Sequence, residues 1–171
     1  MDDLKALIRD VPDFPKPGIV FKDITPLLAN ATAFDRVLGH MALPWQGQGV
    51  THVVGIESRG FIVGSPVASR LGAGFVPVRK PGKLPWRTVS QTYSLEYGTD
   101  SLEAHADAVR PGDRVLVIDD VLATGGTGAA TIALMRDLGA EVVGFGVLVE
   151  LGFLGGRDRI PVPLEAVIRV D

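Results

Sequence analysis

Apolar residues follow two rhythms, a helical one in the first 45 residues and an alternation of strand-like and helix-like runs from residue 51 onward. Leu4, Leu7 and Ile8 repeat at helical spacing and run into Val11–Gly18, where Pro12, Pro15 and Pro17 stop any helix. A short helix followed by an irregular, rigid stretch is predicted. Phe34, Val37, Leu38 and Met41 form an i, i+3, i+4, i+7 stripe closed by Pro44, which predicts a second helix. Beyond it, β-branched runs predict strands at Thr51–Ile56, Gly74–Arg79, Arg114–Ile118 and Glu141–Val149. Gly60–Leu71 and Gly126–Leu138 read as helices, with Gly72 and Gly139 placed for left-handed C-terminal residues. Pro66 means that the first of these helices either starts at Ser65 or kinks. Pro81–Ser90 lacks periodicity and reads as a mobile loop. Strands alternating with helices imply an α/β fold with a mostly parallel sheet.

A length of 171 residues fits one domain, so residues 1–45 read as a cap on the fold and not as a second domain. The absence of cysteine excludes disulfides, thiolate metal sites and a cysteine nucleophile, and it fits a reducing compartment. Seventeen basic and twenty acidic residues give a net charge of −3, which offers no overall positive field to a nucleic acid or an anionic membrane. The first ten residues carry scattered charges and lack the apolar core of a secretion signal, and no run is long enough to span a membrane. The expectation is a cytoplasmic protein that meets any anion locally.

The chemistry concentrates in Val115–Thr127, VLVIDDVLATGGT. Four apolar residues make a strand buried on both faces, which leaves Asp119 and Asp120 at its C-terminal end, where open α/β sheets bind ligands. Ala123, Thr124, Gly125, Gly126 and Thr127 then form a small-residue turn opening a helix. Their backbone N–H groups and two hydroxyls can converge on one anion. A Walker B reading needs a partner G-x-x-x-x-G-K-[ST], but the only Gly-Lys pair, Gly82-Lys83, is followed by Leu84. No G-x-G-x-x-G occurs either, which removes the dinucleotide fingerprint.

These thirteen residues resemble the phosphoribosyl-pyrophosphate (PRPP) signature of the type I phosphoribosyltransferases. The resemblance covers most of the chain, from Val11-Pro12-Asp13-Phe14-Pro15 to about Leu151. It implies the type I phosphoribosyltransferase fold, a mostly parallel sheet flanked by helices with a small N-terminal hood. The chain then divides into a hood (1–45), a PRPP-binding core (46–150) and a C-terminal segment completing the base site (151–171). By the same resemblance, Asp119 and Asp120 accept from the ribose hydroxyls and Ala123–Thr127 cradle the 5′-phosphate. Acidic groups are useful there because the sugar becomes cationic as pyrophosphate leaves.

Glu57-Ser58-Arg59-Gly60 follows an apolar run in a similar setting and corresponds to the pyrophosphate-binding turn, although many members have Asp where this chain has Glu57. Arg59 is expected to meet the leaving group with its guanidinium fork. Arg79, Lys80, Lys83 and Arg87 put four positive charges within nine residues, and a basic loop of this kind can close over a pyrophosphate. In the family such residues also reach a neighbouring subunit, which implies a homodimer.

Ser94-Leu95-Glu96-Tyr97-Gly98 is similar to the acidic loop of adenine-using members, with Glu96 handling a purine proton. Val20, Phe21 and Lys22, within Pro17–Pro26, resemble the segment that holds the base, and Leu151 matches an apolar residue on its other face. The family often has Arg where this chain has Lys22, so the backbone at that position is expected to matter more than the side chain. The implied reaction is adenine plus PRPP giving AMP and pyrophosphate in purine salvage. Mg²⁺ is carried on the pyrophosphate, and no protein ligand is assigned to it.

Two alternatives stay open at this point. A phosphoribosyltransferase for xanthine or hypoxanthine would keep the same PRPP site, and only the base segment argues against it. A non-catalytic PRPP-sensing regulator would need a basic DNA-binding element, which a net charge of −3 does not support. His40, His52 and His105 match no catalytic or metal spacing and receive no role.

Overall fold

The computed structural model of the chain describes residues 1–95 and 98–171. In chain order these form α1 (Asp2–Lys5), β1 (Arg9–Pro12), β2 (Val20–Asp23), α2 (Thr25–Ala29), α3 (Ala31–Ala42), β3 (His52–Ile56), α4 (Arg59–Leu71), β4 (Gly74–Val78), β5 (Thr88–Ser94), β6 (Thr99–His105), β7 (Arg114–Leu122), α5 (Gly126–Asp137), β8 (Glu141–Leu151) and β9 (Leu164–Val170). Short 3-10 turns occupy Leu43–Trp45, Gly152–Leu154 and Gly156–Arg159. None of the described helices is long and apolar enough to cross a membrane.

Five parallel strands in the order β4-β3-β7-β8-β9 make the main sheet. Val115 to Ile118 in the central β7 are fully buried, and their alternation feeds two cores. Leu116 and Ile118 pack with Val37, Met41, Val63 and Val67 of α3 and α4. Val115 and Val117 pack with Ile132 and Met135 of α5 and with Leu102 of β6. A one-residue slip of β7 would exchange these two sets, so the register is strongly specified.

Several element boundaries differ from the sequence expectations. Strand β7 continues four residues past Ile118, because Asp119, Val121 and Leu122 stay paired with Val147, Val149 and Glu150 of the long β8. The acidic pair therefore sits inside the strand's last turns of pleat and does not follow it. Helix α4 starts at Arg59, not Ser65, and runs through Pro66. The missing Pro66 N–H leaves the carbonyl of Ile62 without its helical donor. Ile62 is exposed, so water can serve instead. The predicted loop Pro81–Ser90 is shorter, since Thr88 to Ser90 already belong to β5 and pair with β6. Arg79 lies just beyond β4 and bridges Glu103. The stretch expected to be irregular after the first helix contains β1, which pairs with β2 from Arg9↔Asp23 to Pro12↔Val20. Gly72 and Gly139 adopt the expected positive φ, at 65° and 92°.

The five parallel strands deliver their C-terminal ends to one edge of the sheet. Helices α4 and α5 begin at that same edge, so two helix N-termini with unpaired N–H groups border one region.

Candidate active site

A cleft of about 650 Å³ opens at this edge, lined by residues from six separate stretches of sequence. Asp119 and Asp120 form its floor. The half-buried Asp119 accepts a 2.9 Å hydrogen bond at Oδ1 from the Asp120 N–H. Burial, reinforced by the negative charge of Asp120, pushes the Asp119 carboxyl well above its ordinary value. Asp120 is 6% exposed, and its Oδ2 lies 2.6 Å from Arg59 Nε. That contact is an ion pair lacking hydrogen-bond alignment, so Oδ2 has no hydrogen-bond donor among the described residues. A buried carboxylate oxygen in this state is an acceptor in need of a hydroxyl.

Helix α4 can come this close to β7 because its second residue is glycine. A Cβ on Gly60 would stand 2.9 Å from Asp119 Oδ1 and 3.2 Å from the Ile118 carbonyl oxygen. Ser58 precedes the helix and makes no capping hydrogen bond through its side chain, and its peptide bond with Glu57 is cis. Glu57, Ser58 and Arg59 all line the cleft. The Arg59 guanidinium also lies over the Phe21 ring, 4.9 Å from its centroid, and so ties the floor to the N-terminal ribbon.

The basic residues after β4 are held by carboxylates. Glu57 accepts from Arg79 Nε at 3.0 Å, from the Lys80 N–H at 2.9 Å and from Lys83 Nζ at 2.6 Å. Burial alone would raise the Glu57 carboxyl, but these donors, Lys83 first, hold it below its ordinary value. Lys80 pairs with Asp100 and donates to Tyr93 Oη at 3.3 Å. Desolvation would lower the Lys80 ammonium, yet Asp100 and Tyr93 together keep it raised. Of the three predicted cations Arg79, Lys80 and Lys83, only Lys80 lines the cleft itself.

The opposite wall is the β1–β2 ribbon, which contributes Ile19, Val20, Phe21 and Lys22, with Leu151 from the end of β8 facing the same space. The Lys22 ammonium is tied to Asp10 Oδ1 at 2.5 Å. Strand β2 pairs only with β1 among the described residues, so its other edge keeps its main-chain donors and acceptors. Ala123 and Thr127 line the cleft, while Thr124, Gly125 and Gly126 border adjoining recesses. Gly125 has φ of 82° and precedes α5, whose first N–H groups open toward this loop. Glu96, predicted to handle a proton, lies outside the described residues.

Residues 35–163 match the sequence profile of the family described as "Phosphoribosyl transferase domain". The chain is 61% identical to an adenine phosphoribosyltransferase of Myxococcus xanthus over 158 residues, spanning 92% of this chain and 86% of that protein. Its fold superposes on the crystal structure of adenine phosphoribosyltransferase from Rhodothermus marinus with a TM-score of 0.96 at 55% identity, covering 99% of this chain and 97% of the other. The yeast adenine phosphoribosyltransferase, solved with an imino-altritol bisphosphate and adenine, gives a TM-score of 0.92 at 37% identity, with 97% of each chain covered. The chain belongs to the phosphoribosyltransferase family.

In this phosphoribosyltransferase, the sequence motifs found most of the cleft but not all of it. Ile19, Leu102, Val121 and Leu154 also line it, and Tyr93 reaches the phosphate loop by a 3.3 Å hydrogen bond with Thr127 Oγ1. Leu102 and Tyr93 belong to the β5–β6 hairpin, whose burial alternates along both strands but whose inward positions include Gln91 and Asp100, so the alternation is weak in the sequence. Leu154 is 43% exposed and sits in a glycine-rich turn, where nothing in the sequence marks it as a wall of a cleft.

Proposed function

We propose that this phosphoribosyltransferase joins N9 of adenine to C1′ of PRPP, releasing pyrophosphate and forming AMP. The observation that carries this reading is the shared cleft. An apolar ribbon with a free main-chain edge, a buried acidic pair and two helix starts all border one space.

Each part has a chemical task. The 5′-phosphate rests on the Ala123–Thr127 backbone at the start of α5, and the pyrophosphate meets Ser58 and Arg59 at the start of α4. The ribose hydroxyls donate to Asp119 and Asp120, which supplies the acceptor Asp120 Oδ2 with a hydrogen bond. As the bond from C1′ to pyrophosphate breaks, positive charge grows on the sugar and favours the fully ionised acidic pair. The Asp119 carboxyl, raised by burial and by the charge of Asp120, ionises more readily once positive charge develops beside it. N9 of adenine forms the new bond and Glu96 takes its proton.

The base lies between Phe21 and Leu151. A carbonyl of the β2 edge accepts from the 6-amino group, and an N–H donates to N1. Hypoxanthine presents the opposite polarity at both positions and would leave buried groups unpaired.

The described residues contain no cluster of three or more His, Asp or Glu side chains able to cage a metal. Mg²⁺ would arrive on the pyrophosphate, with Asp119 and Asp120 as carboxylates lining the same cleft. Bound there, Mg²⁺ neutralises charge on the leaving group. Arg79, Lys80 and Lys83 supply further positive charge at that end, residues 1–45 form the hood over the base, and residues 151–171 complete its site. We also place the enzyme in the cytoplasm as a homodimer, in which a second copy covers the exposed Trp86.

The test is to incubate the protein with PRPP, Mg²⁺ and, separately, adenine, hypoxanthine, xanthine and guanine, with sedimentation of the same sample to weigh the dimer. Nucleotide from adenine alone is expected. Product from another base overturns the assigned specificity, and product from none overturns the enzymatic reading.

A further inference from the structure

The phosphate loop raises an electrostatic problem that its own residues do not solve. Ala123–Thr127 has no charged side chain, whereas a phosphate monoester carries about −1.5 to −2 charges at neutral pH. Asp119 and Asp120 lie immediately upstream, and the α5 N-terminus offers only about half a positive charge. The missing charge has to come from elsewhere in the fold.

The 3-10 turn Gly156–Arg159 lies directly against this loop. A Cβ on Gly125 would stand 2.4 Å from the Gly156 carbonyl oxygen, and one on Gly156 would stand 2.1 Å from that of Ala123. The two backbones touch, so only glycine fits at either position. The turn is anchored from behind by Glu150, which is 2% exposed and accepts from Arg157 at 2.9 and 2.5 Å. Arg157 also donates to the Leu164 carbonyl at 3.2 Å. Arg157 is thus fully engaged away from the loop.

Arg159 is differently placed. Its Nη1 lies 3.7 Å from where a Cβ on Gly126, the first residue of α5, would be. With Thr124, Gly126 and Thr127 it lines a recess of about 390 Å³ that shares Thr127 and Leu154 with the main cleft. Among the described residues, Arg159 makes neither an ion pair nor a side-chain hydrogen bond.

We propose that Arg159 is the side-chain cation for the 5′-phosphate of the ribosyl substrate and of the nucleotide product. The inference rests on the phosphoribosyltransferase reading and extends it to a residue outside the PRPP signature. A guanidinium fork beside the turn can take two phosphate oxygens while the loop N–H groups hold the third. The Glu150–Arg157 pair and the Gly156 contact fix the turn's backbone, so Arg159 is anchored beside the loop while its guanidinium is free to reach the ligand.

Titration calorimetry of the intact protein with AMP, ribose 5-phosphate and adenosine tests this. Arg159→Gln should weaken AMP and ribose 5-phosphate by tenfold or more and leave adenosine, which lacks the phosphate, unchanged. Arg159→Lys should recover part of the loss, because the charge returns without the fork. The affinity of the parent protein for AMP should also fall more steeply with added salt than that of Arg159→Gln. Unchanged AMP affinity in Arg159→Gln overturns the proposal, as does an equal loss for adenosine and AMP. If the parent protein binds neither AMP nor ribose 5-phosphate, the phosphoribosyltransferase reading itself fails and this inference falls with it.

Discussion

The two walls of the cleft are built in opposite ways. The floor, from Asp119 to Thr127, ends a strand whose preceding four residues are fully buried, and it is fixed on one side by Gly60 and on the other by Gly156. The facing wall is a ribbon in which Ile19 and Val20 are 44% and 49% exposed and, among the described residues, no third strand joins the two. An isolated ribbon of this kind is marginally stable on its own. The floor has to present fixed dipoles and charges to a transition state, which requires rigidity before the substrate arrives. The ribbon needs only to close on a flat base, and its apolar side chains gain their burial when the base is present.

The largest effect expected from this contrast comes from Asp119→Asn with Asp120→Asn. Turnover should fall by at least about a hundredfold to a thousandfold, the usual cost of removing preorganised charge, while folding is retained. Near-normal turnover in a folded double variant would show that the rigid floor is not where catalysis occurs. A smaller effect is expected on the ribbon. Phe21→Ala should raise KM for adenine about tenfold through lost ring contact and leave ribose 5-phosphate binding intact. Equal losses for both ligands would show that the walls are coupled, with the contact between Arg59 and Phe21 as the link.

The smallest effect concerns stability and pH. The Asp119 carboxyl titrates above its ordinary value of 3.8 in the fold, so its ionisation opposes folding. That opposition is absent below the ordinary value, grows as pH rises from it toward the elevated one, and levels off above that. Asp119→Asn on its own should therefore melt a few degrees above the parent protein at neutral pH, where about 1 kcal/mol corresponds to 2–4 °C for a chain of this size. The gap should close as the pH approaches 4. A pH-independent gap would assign the effect to packing and not to charge.

The contrast also explains what could be read in the sequence. The floor was legible because strand, acid pair and turn are contiguous and the strand is apolar on both faces. Resemblance pointed to Val20, Phe21 and Lys22, which line the cleft, but the ribbon's strands were not legible, since exposed residues and prolines mask their period. Strand β9 was missed for a related reason, as Ile168 is its only fully buried residue. The extension of β7 through the two aspartates was hidden because carboxylates normally mark the end of a strand, and only pairing with β8 keeps them in it. Arg159 was beyond reach. Its position beside Gly126 depends on a contact between residues 33 apart in sequence, through a turn whose composition reads as an ordinary surface loop.

Glu57 gives the basic end of the cleft a particular character. Its two oxygens already hold Arg79, Lys83 and the Lys80 N–H, so an anion that recruits either side chain does so by exchange with a resident carboxylate. When that anion departs, the carboxylate reclaims its partners. Grip on the leaving group is tempered in both directions, and this corner of the protein keeps its charge nearly balanced between turnovers, with little bare positive field to retain a spent product or attract stray polyanions.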